Sequence, residues 1–218
     1  MVTANLTVVF NREPAMILNA QALAELPKTE QILLINSITG IKPANLVGTV
    51  NPQGQTNLAI FSSVFHMGSS PPLIGMVLRS KGDVPRHSYD NLVSSGCYTL
   101  NHVHPDWADK AHQTSAKYPK EVSEFDATGL TPVFLDGFAA PFVAESQVKY
   151  GLRFVDEMPV KHNNTVIIIG QIEHVWIEQP HYAPDGGLDL SALNSVGISG
   201  LNSYYQLERL ATFKLAQP

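Results

Sequence analysis

Residues 56–78 read TNLAIFSSVFHMGSSPPLIGMVL. Residues typical of β-strands occupy both ends of this stretch, whereas its centre is rich in serine, glycine and proline. A buried core strand has no use for the pair Ser62-Ser63, and a tight turn is much shorter than the central segment. The stretch therefore predicts two strands and, between them, a segment whose hydroxyl groups and flexible backbone serve another purpose.

The sequence on either side of this stretch predicts further strands paired through hairpins. Residues 41–63 form one hairpin pattern around the turn Asn51-Pro52-Gln53-Gly54. Residues 144–178 form a longer one, in which two apolar runs flank His162-Asn163-Asn164. Short helical patterns lie between the strands, for example RHSYDNLVSSG at 86–96. We therefore expect a mainly β protein with short helices, built as an antiparallel, Greek-key-like barrel.

Composition excludes several classes of protein. The chain has 218 residues, which suits one large domain, and a net charge of −5, which argues against a nucleic-acid or membrane surface based on bulk positive charge. Its single cysteine, Cys97, excludes an intramolecular disulfide and a multi-cysteine metal site. Neither a signal-peptide pattern nor a bilayer-length apolar run is present, so we expect a cytoplasmic protein.

Two sequence patterns suggest chemistry that their context disfavours. Ser146-Gln-Val-Lys149 matches the S-x-x-K motif of some hydrolases, but it falls in a predicted strand, where its serine and lysine cannot lie on one helical turn. His102, His104, Asp106 and His112 resemble a metal-binding cluster, because His102 and His104 share a strand face. Pocket-lining or surface histidines are the simpler interpretation, because Asp106 and His112 would have to turn back from the next helix.

Arg86-His87-Ser88 is the pattern that best fits a phosphate site. Arg86 precedes a predicted helix and Ser88 lies in its first turn, so a guanidinium, a hydroxyl and free backbone N–H groups occur together. Arg79, at the end of the preceding strand, supplies a second positive charge. A capped surface helix with solvated arginines is equally compatible with these residues.

Together, these segments resemble the flavin reductase-like, FMN-binding split-barrel family. IKPANLVGTVN resembles the family's PRPIALVTT, and TNLAIFSSVFHMGSSPPLIGMVL resembles PNLAPFSFFNAVSSDPPLV. RHSYDNLVSSGCYTLNHV resembles KDTLxNIxxxGEFVVNLV, and APFVAESQVKYGLRFVDEM resembles PPRVAESPVxxECxLxEV. SAKYPKEVSEFDATGLTPV resembles SxxYPxxxDEFExAGLTPx, which is the most specific of these blocks. The resemblance runs from about residue 40 to about residue 205.

The resemblance implies that the central segment of 56–78 borders the isoalloxazine ring of FMN. Hydroxyl and backbone N–H groups there would hydrogen-bond the ring, and Gly68, Ser69 and Ser70 would allow close approach of the backbone. Together with Arg79, the residues expected to contact the cofactor are Asn57, Ala59, Phe61, Ser62, Ser63, Arg86, Ser88, Ser115, Tyr118 and Tyr204.

The sequence departs from the family pattern at several positions. His87 replaces the usual Asp beside the phosphate position, His66 replaces Asn, and Ile60 replaces the Pro of LAPFS. Lys42 stands where Pro or an Arg-rich sequence is common. The resemblance does not cover the first residues, so we expect an N-terminal extension at 1–38 that packs on the barrel domain at 39–218.

The function implied by the resemblance is that of an FMN-dependent oxidoreductase that takes hydride from NADH or NADPH. Electrons would pass to free flavin, a partner oxygenase or a small acceptor, and the protein would be a homodimer. His66 and His112 are the candidates for proton transfer. Two alternatives share the same cofactor pocket: a non-enzymatic flavin carrier or sensor, and an FMN-dependent oxygenase that acts on a small organic substrate.

Overall fold

The computed structural model of the protein describes residues 16–79 and 86–217. The helices in these ranges are α1 (Ala20–Glu25), α2 (Lys28–Ile38), α3 (His87–Ser95), α4 (Ala108–Gln113) and α5 (Glu124–Thr128), with a 3₁₀ turn at Pro105–Trp107. The strands are β1 (Lys42–Pro43), β2 (Asn45–Val50), β3 (Thr56–Phe61), β4 (Val64–Ser69), β5 (Pro72–Leu78), β6 (Cys97–His102), β7 (Pro132–Val133), β8 (Phe142–Val143), β9 (Val148–Val160), β10 (Thr165–Ile177), β11 (Val196–Ser199) and β12 (Ser203–Gln206). The predicted mainly β class with short helices is confirmed.

Seven of these strands form an antiparallel barrel. Their order in the sheet is β3-β2-β6-β9-β10-β5-β4, so β3 and β4 lie at opposite edges. Only Ser62 and Ser63 separate these two strands in the chain, which keeps the Cα atoms of Phe61 and Val64 within about 11 Å of each other. The sheet must therefore curl until its edges meet. Since no pairing joins β3 to β4 in the described sheet, the barrel is split at this point, in agreement with the split barrel that the resemblance implies.

The serine- and glycine-rich centre of the quoted stretch forms a strand of its own. β4 pairs with β5 and is an edge strand, whose Phe65 and Met67 side chains are each 41% exposed. Both side chains lie over Gly75, where an added Cβ would collide with the Phe65 ring. The sequence-based prediction of only two strands in 56–78 is therefore incomplete, because the residues of β4 lack the alternation of a half-buried strand.

Among the described residues, two of the three core clusters fill the interior of the barrel and cover the outer face of β3, and the third lies around Phe138 and Phe142. Inside the barrel, Tyr98 and Leu152 pack with Leu92 of α3, so α3 covers one end of the barrel. Outside it, Leu58 of β3 packs with Phe125 of α5 and with Trp107. Because successive side chains of a strand point to opposite faces, β3 contributes to both regions. Helices thus border β3 on two sides.

The N-terminal helices make little contact with this barrel. No residue of α1 or α2 is buried, and Ile38 is 67% exposed. Lys42 Nζ donates a hydrogen bond of 2.7 Å to the carbonyl oxygen of Asn36, which ties α2 to the start of the barrel domain. Residues 1–15 of the predicted extension lie outside the described residues, and its packing on the barrel stays a prediction. None of the described helices combines the length and apolar character needed to cross a bilayer.

Candidate functional site

A cleft of about 1150 Å³ opens between β3, the first turn of α3 and the segment 114–120. This volume slightly exceeds the upper end of the usual range for small-ligand pockets, about 300–1000 Å³. The structure brings together ten of the eleven residues that the sequence marks as cofactor contacts. These lining residues are Asn57, Ala59, Phe61, Ser62, Ser63, Arg79, Arg86, Ser88, Ser115 and Tyr118.

β3 forms one wall of the cleft. Asn57, Ala59 and Phe61 are alternate residues of this strand and therefore share one of its faces. Ile60 points to the other face and packs against the core beneath α4 and α5, although it also borders the cleft. Ser62 and Ser63 follow directly at the split of the barrel, where the chain leaves the sheet before β4 begins. Both serines therefore line the cleft at the split of the barrel.

The first turn of α3 forms a polar end of the cleft. Arg86 is the N-cap residue and makes no side-chain cap, so the first backbone N–H groups of the helix are not capped by it. Ser88 is only 8% exposed, and its Oγ accepts a hydrogen bond of 3.0 Å from Asn57 Nδ2. The hydroxyl hydrogen of Ser88 has no hydrogen-bond acceptor among the described residues. It is therefore available to an acceptor in the cleft.

The segment 114–120 forms the opposite wall. It leaves α4 through a turn in which Ser115 N donates a hydrogen bond of 2.9 Å to the carbonyl oxygen of His112. Gln113 Nε2 donates a hydrogen bond of 2.9 Å to the hydroxyl oxygen of Tyr118, and this bond holds the Tyr118 ring beside the turn. Both Ser115 and Tyr118 consequently border the cleft.

A line of hydrogen bonds fixes this wall to β3. Gln55 Nε2 donates to the Lys120 carbonyl oxygen at 2.9 Å, and the hydroxyls of Thr56 and Ser123 lie 2.8 Å apart. Leu58 N donates a hydrogen bond of 2.9 Å to Glu124 Oε2. The spacing between the two walls is therefore set by contacts between β3 and segment 120–124.

Glu124 is a buried acid that the sequence-based site prediction missed. It is 6% exposed and borders the cleft. Desolvation raises the pKa of Glu124, while the Leu58 N–H and the nearby His87 act in the opposite direction. Glu124 belongs to the Glu-Phe pair of the S-x-x-Y-P block, which marks it as part of the family motif. This pattern does not reveal that the Glu124 carboxyl group reaches the cleft.

Within the described part of the chain, basic side chains outnumber acidic ones around the cleft. Arg79, Arg86, Lys117 and Lys120 line it, and the carboxylates of Asp90 and Glu124 do so as well. The protein as a whole has a net charge of −5. The cleft is therefore locally suited to an anionic ligand. Neither lysine was predicted as a site residue.

Three predicted site residues lie outside the lining of the cleft. His112 Nδ1 and Tyr204 Oη are 3.1 Å apart and the two rings meet edge to face, so the pair ties β12 to α4. Desolvation raises the pKa of Tyr204 to about 12. His66 lies on the exposed edge strand β4, with its Nε2 atom 3.2 Å from Ser69 Oγ. Their roles in catalysis or cofactor binding stay predictions.

The histidines of the possible metal cluster have separate partners. His102 Nδ1 lies 2.9 Å from Ser195 Oγ, whereas His112 contacts Tyr204. His104 Nδ1 is 3.5 Å from Asp106 Oδ2. Among the described residues, no group of three His, Cys, Asp or Glu side chains is placed to hold a metal ion.

Comparison with known proteins relates this geometry to a family. The sequence model of the flavin reductase-like domain matches residues 41–188. The chain belongs to this family. The match covers both walls of the cleft and ends just beyond β10.

The chain is also similar to solved structures and to a curated protein. A candidate flavin reductase with a split-barrel domain from Shewanella frigidimarina is 44% identical, with a TM-score of 0.88, over 93% of this chain and all of that one. Nitrilotriacetate monooxygenase component B from Bacillus cereus has the same fold at 18% identity, with a TM-score of 0.79, over 94% of this chain and all of that one. An uncharacterised protein from Halalkalibacterium halodurans is 27% identical, over 93% of this chain and 97% of the relative.

Proposed function

We propose that the protein is an FMN-dependent oxidoreductase that accepts hydride from NADH or NADPH and passes the electrons to a flavin or another acceptor. The observation that carries this proposal is the convergence of ten predicted flavin contacts on one cleft. Membership of the flavin reductase-like family supports it, as does the 44% identity to the candidate flavin reductase of S. frigidimarina.

The residues of the cleft fit the two chemically different ends of FMN. At the α3 end, the Arg86 guanidinium, the Ser88 hydroxyl and the positive end of the helix dipole form a set of the kind that binds a phosphate. At the β4 side, Phe61 gives an apolar surface while Ser62 and Ser63 provide polar groups for the edge of a planar ring. The ring would therefore lie between the end of β3 and the wall that carries Tyr118.

The flavin, when bound, supplies the redox chemistry, and the protein supplies binding and orientation. Hydride transfer requires donor and acceptor atoms about 3–3.5 Å apart, so a rigid wall matters more than an acid or base. The bonds of Gln55, Thr56 and Leu58 to segment 120–124 provide that rigidity. Ala59 has a small side chain, which leaves room in the cleft for the ring.

An anaerobic titration tests the proposal. Full-length protein is first mixed with FMN, and binding is followed by quenching of flavin fluorescence. NADH and then NADPH are added to the complex, and we expect one or both to remove the visible absorbance of the oxidised flavin. Flavin that binds but stays oxidised with both donors would support the carrier or oxygenase alternative instead. Failure to bind any flavin would contradict the proposal.

We further propose that the protein acts as a homodimer. Phe65 and Met67 expose apolar side chains on edge strand β4, beside the split of the barrel, and an exposed apolar edge strand is a surface on which a second chain can pair. Sedimentation equilibrium would show twice the mass of one chain, and a Met67→Glu variant should sediment as a monomer. The electron acceptor could be a partner oxygenase, a role compatible with the name of the B. cereus protein as a monooxygenase component.

A further inference from the structure

His87 occupies a distinctive position at the polar end of the cleft. It is the first residue of α3, is half-buried, and lines the cleft together with Arg86 and Ser88. It also lines a small polar notch on its other side, which it shares with Asn57, Asn91 and other residues. Its ring makes no hydrogen bond to the described residues. The imidazole is therefore free to respond to a ligand bound beside it.

Among the described residues, four basic and two acidic side chains share the cleft with His87. Arg86 precedes the helix that begins with His87, the exposed Asp90 lies on that helix, and Arg79 lies at the end of β5. The basic residues of the opposite wall are Lys117 and Lys120. The acid on that wall is Glu124, which lies near enough to His87 for the two groups to interact electrostatically.

A bound phosphate changes the charges around His87, where basic side chains and the carboxylates of Asp90 and Glu124 already line the cleft. A phosphate monoester at the start of α3 adds up to two negative charges beside the ring. The balance then favours the protonated form, because a nearby opposite charge stabilises the charged state of a titratable group.

We infer that phosphate binding at this end of the cleft is proton-linked through His87. The imidazole takes up a proton when a phosphate monoester binds beside Arg86 and Ser88, so affinity for a mononucleotide rises as the pH falls. This inference rests on the proposed function, since it assigns the start of α3 to the phosphate of FMN. It makes His87 a determinant of selectivity for FMN over riboflavin, which lacks the phosphate.

The sign of the pH dependence follows from the proton count. The complex holds more protons than its separated components, so binding weakens as the pH rises and the extra proton is lost. Histidine is the side chain that normally changes charge between pH 5 and 8. The phosphate itself gains a proton near pH 6, which opposes the effect of His87 at low pH. Measurements between pH 6.5 and pH 8.5 therefore separate the effect of His87 from protonation of the phosphate.

The test compares FMN and riboflavin binding at pH 6.5 and 8.5. Full-length protein freed of flavin is titrated by flavin fluorescence, using wild type, His87→Gln and His87→Asp. His181→Gln serves as the matched control, because His181 is exposed and does not line the cleft. Far-UV circular dichroism verifies that each variant is folded. Calorimetry of FMN binding in two buffers with different ionisation enthalpies counts the protons taken up.

In wild type and His181→Gln, we expect the Kd for FMN to rise about three- to tenfold from pH 6.5 to 8.5, since one pKa unit corresponds to a tenfold change. In His87→Gln this rise and the proton uptake should be lost, whereas riboflavin binding should be alike in all variants. His87→Asp should bind FMN most weakly. If the Kd for FMN depended on pH in the same way in wild type and His87→Gln, the inference about His87 would be overturned while the proposed function would stand. If wild type bound neither flavin, the proposed function would fail as well.

Discussion

Asn57 Nδ2 donates a hydrogen bond of 3.0 Å to Ser88 Oγ and so joins β3 to the first turn of α3 at the polar end of the cleft. Both side chains are more than nine-tenths buried. Because the serine oxygen accepts this bond, the hydroxyl hydrogen of Ser88 can donate to another group. Ser88 also lines the cleft, so a ligand in the cleft can accept this hydrogen bond. The amide of Asn57 thus helps to orient the hydroxyl as a donor toward a ligand.

Ser88→Ala should accordingly weaken FMN binding. A hydrogen bond to a charged group contributes about 1.5–3 kcal/mol, so we expect the Kd to rise at least about tenfold. The measurement is a fluorescence titration with FMN and with riboflavin, and only FMN should be affected. Ser94→Ala is the matched control, since Ser94 lies on the same helix and its Oγ donates to the Asn91 carbonyl oxygen, away from the cleft lining. Equal loss of FMN affinity in both variants would contradict the assigned role of Ser88.

Two buried tyrosines provide a contrast in stability. The Tyr98 hydroxyl is fully buried and has no hydrogen-bond partner within the described structure. The Tyr89 hydroxyl donates a hydrogen bond of 2.6 Å to Glu157 Oε2, and this contact raises the pKa of Tyr89 to about 12. Removal of an unpaired buried polar group relieves a desolvation cost of about 1–3 kcal/mol, whereas removal of a paired one sacrifices the bond.

We therefore expect Tyr98→Phe to leave the free energy of unfolding unchanged or to raise it by about 1 kcal/mol, and Tyr89→Phe to lower it by about 1–3 kcal/mol. Urea denaturation of the two variants and wild type measures both effects. Destabilisation by Tyr98→Phe comparable with that of Tyr89→Phe would show that the Tyr98 hydroxyl has a partner in solution.

Much of the fold could be predicted from local patterns. The hairpin of β9 and β10 follows from two apolar runs around a polar turn, and its Asn164 has the positive φ of 57° that asparagine tolerates. The end of α3 follows from Gly96, whose φ is 74°. β4 was missed because an edge strand with exposed Phe65 and Met67 lacks a buried face to mark it.

The site was predictable only where its residues lie in recognisable segments. The residues of β3 and of the start of α3 fall in motifs quoted from the family, and the structure brings both to one cleft. Glu124 and Lys120 reach the cleft because segment 120–124 is hydrogen-bonded to β3, a contact between residues more than 60 positions apart. Sequence periodicity carries no information on such long-range pairing. The contact between His112 and Tyr204, 92 positions apart, was missed for the same reason.

The S-x-x-K pair has a structural role in this fold. Ser146 is fully buried, and its Oγ lies 2.8 Å from the carbonyl oxygens of His102 and Val148. Lys149 Nζ instead contacts Glu178 Oε1 at 2.8 Å. Ser146→Ala should lower the free energy of unfolding by about 1 kcal/mol while FMN affinity and the rate of flavin reduction are retained. Urea denaturation and a flavin titration measure the two effects, and loss of flavin reduction in a folded variant would reopen a catalytic role.

Acid should destabilise the folded protein through His102. Desolvation lowers the pKa of His102 from 6.5 to about 4, and its Nδ1 lies 2.9 Å from Ser195 Oγ. Because the pKa in the folded state is below that in the unfolded state, the unfolded chain binds more protons between these values. Stability is therefore complete above about pH 6.5 and decreases as the pH falls toward 4.

At pH 5 this effect amounts to at most about 2 kcal/mol, which is the full linkage value for pKa values of 6.5 and about 4. Partial exposure of the ring reduces it. Urea denaturation at pH 7.5 and pH 5 should show that wild type loses more stability on acidification than His102→Gln does, by up to that amount. His181→Gln, which replaces an exposed histidine, should lose as much as wild type. An equal loss of stability in wild type and His102→Gln would mean that His102 is accessible enough to be protonated in the folded protein. The interpretation of His102 as a neutral side chain in the folded state would then be wrong.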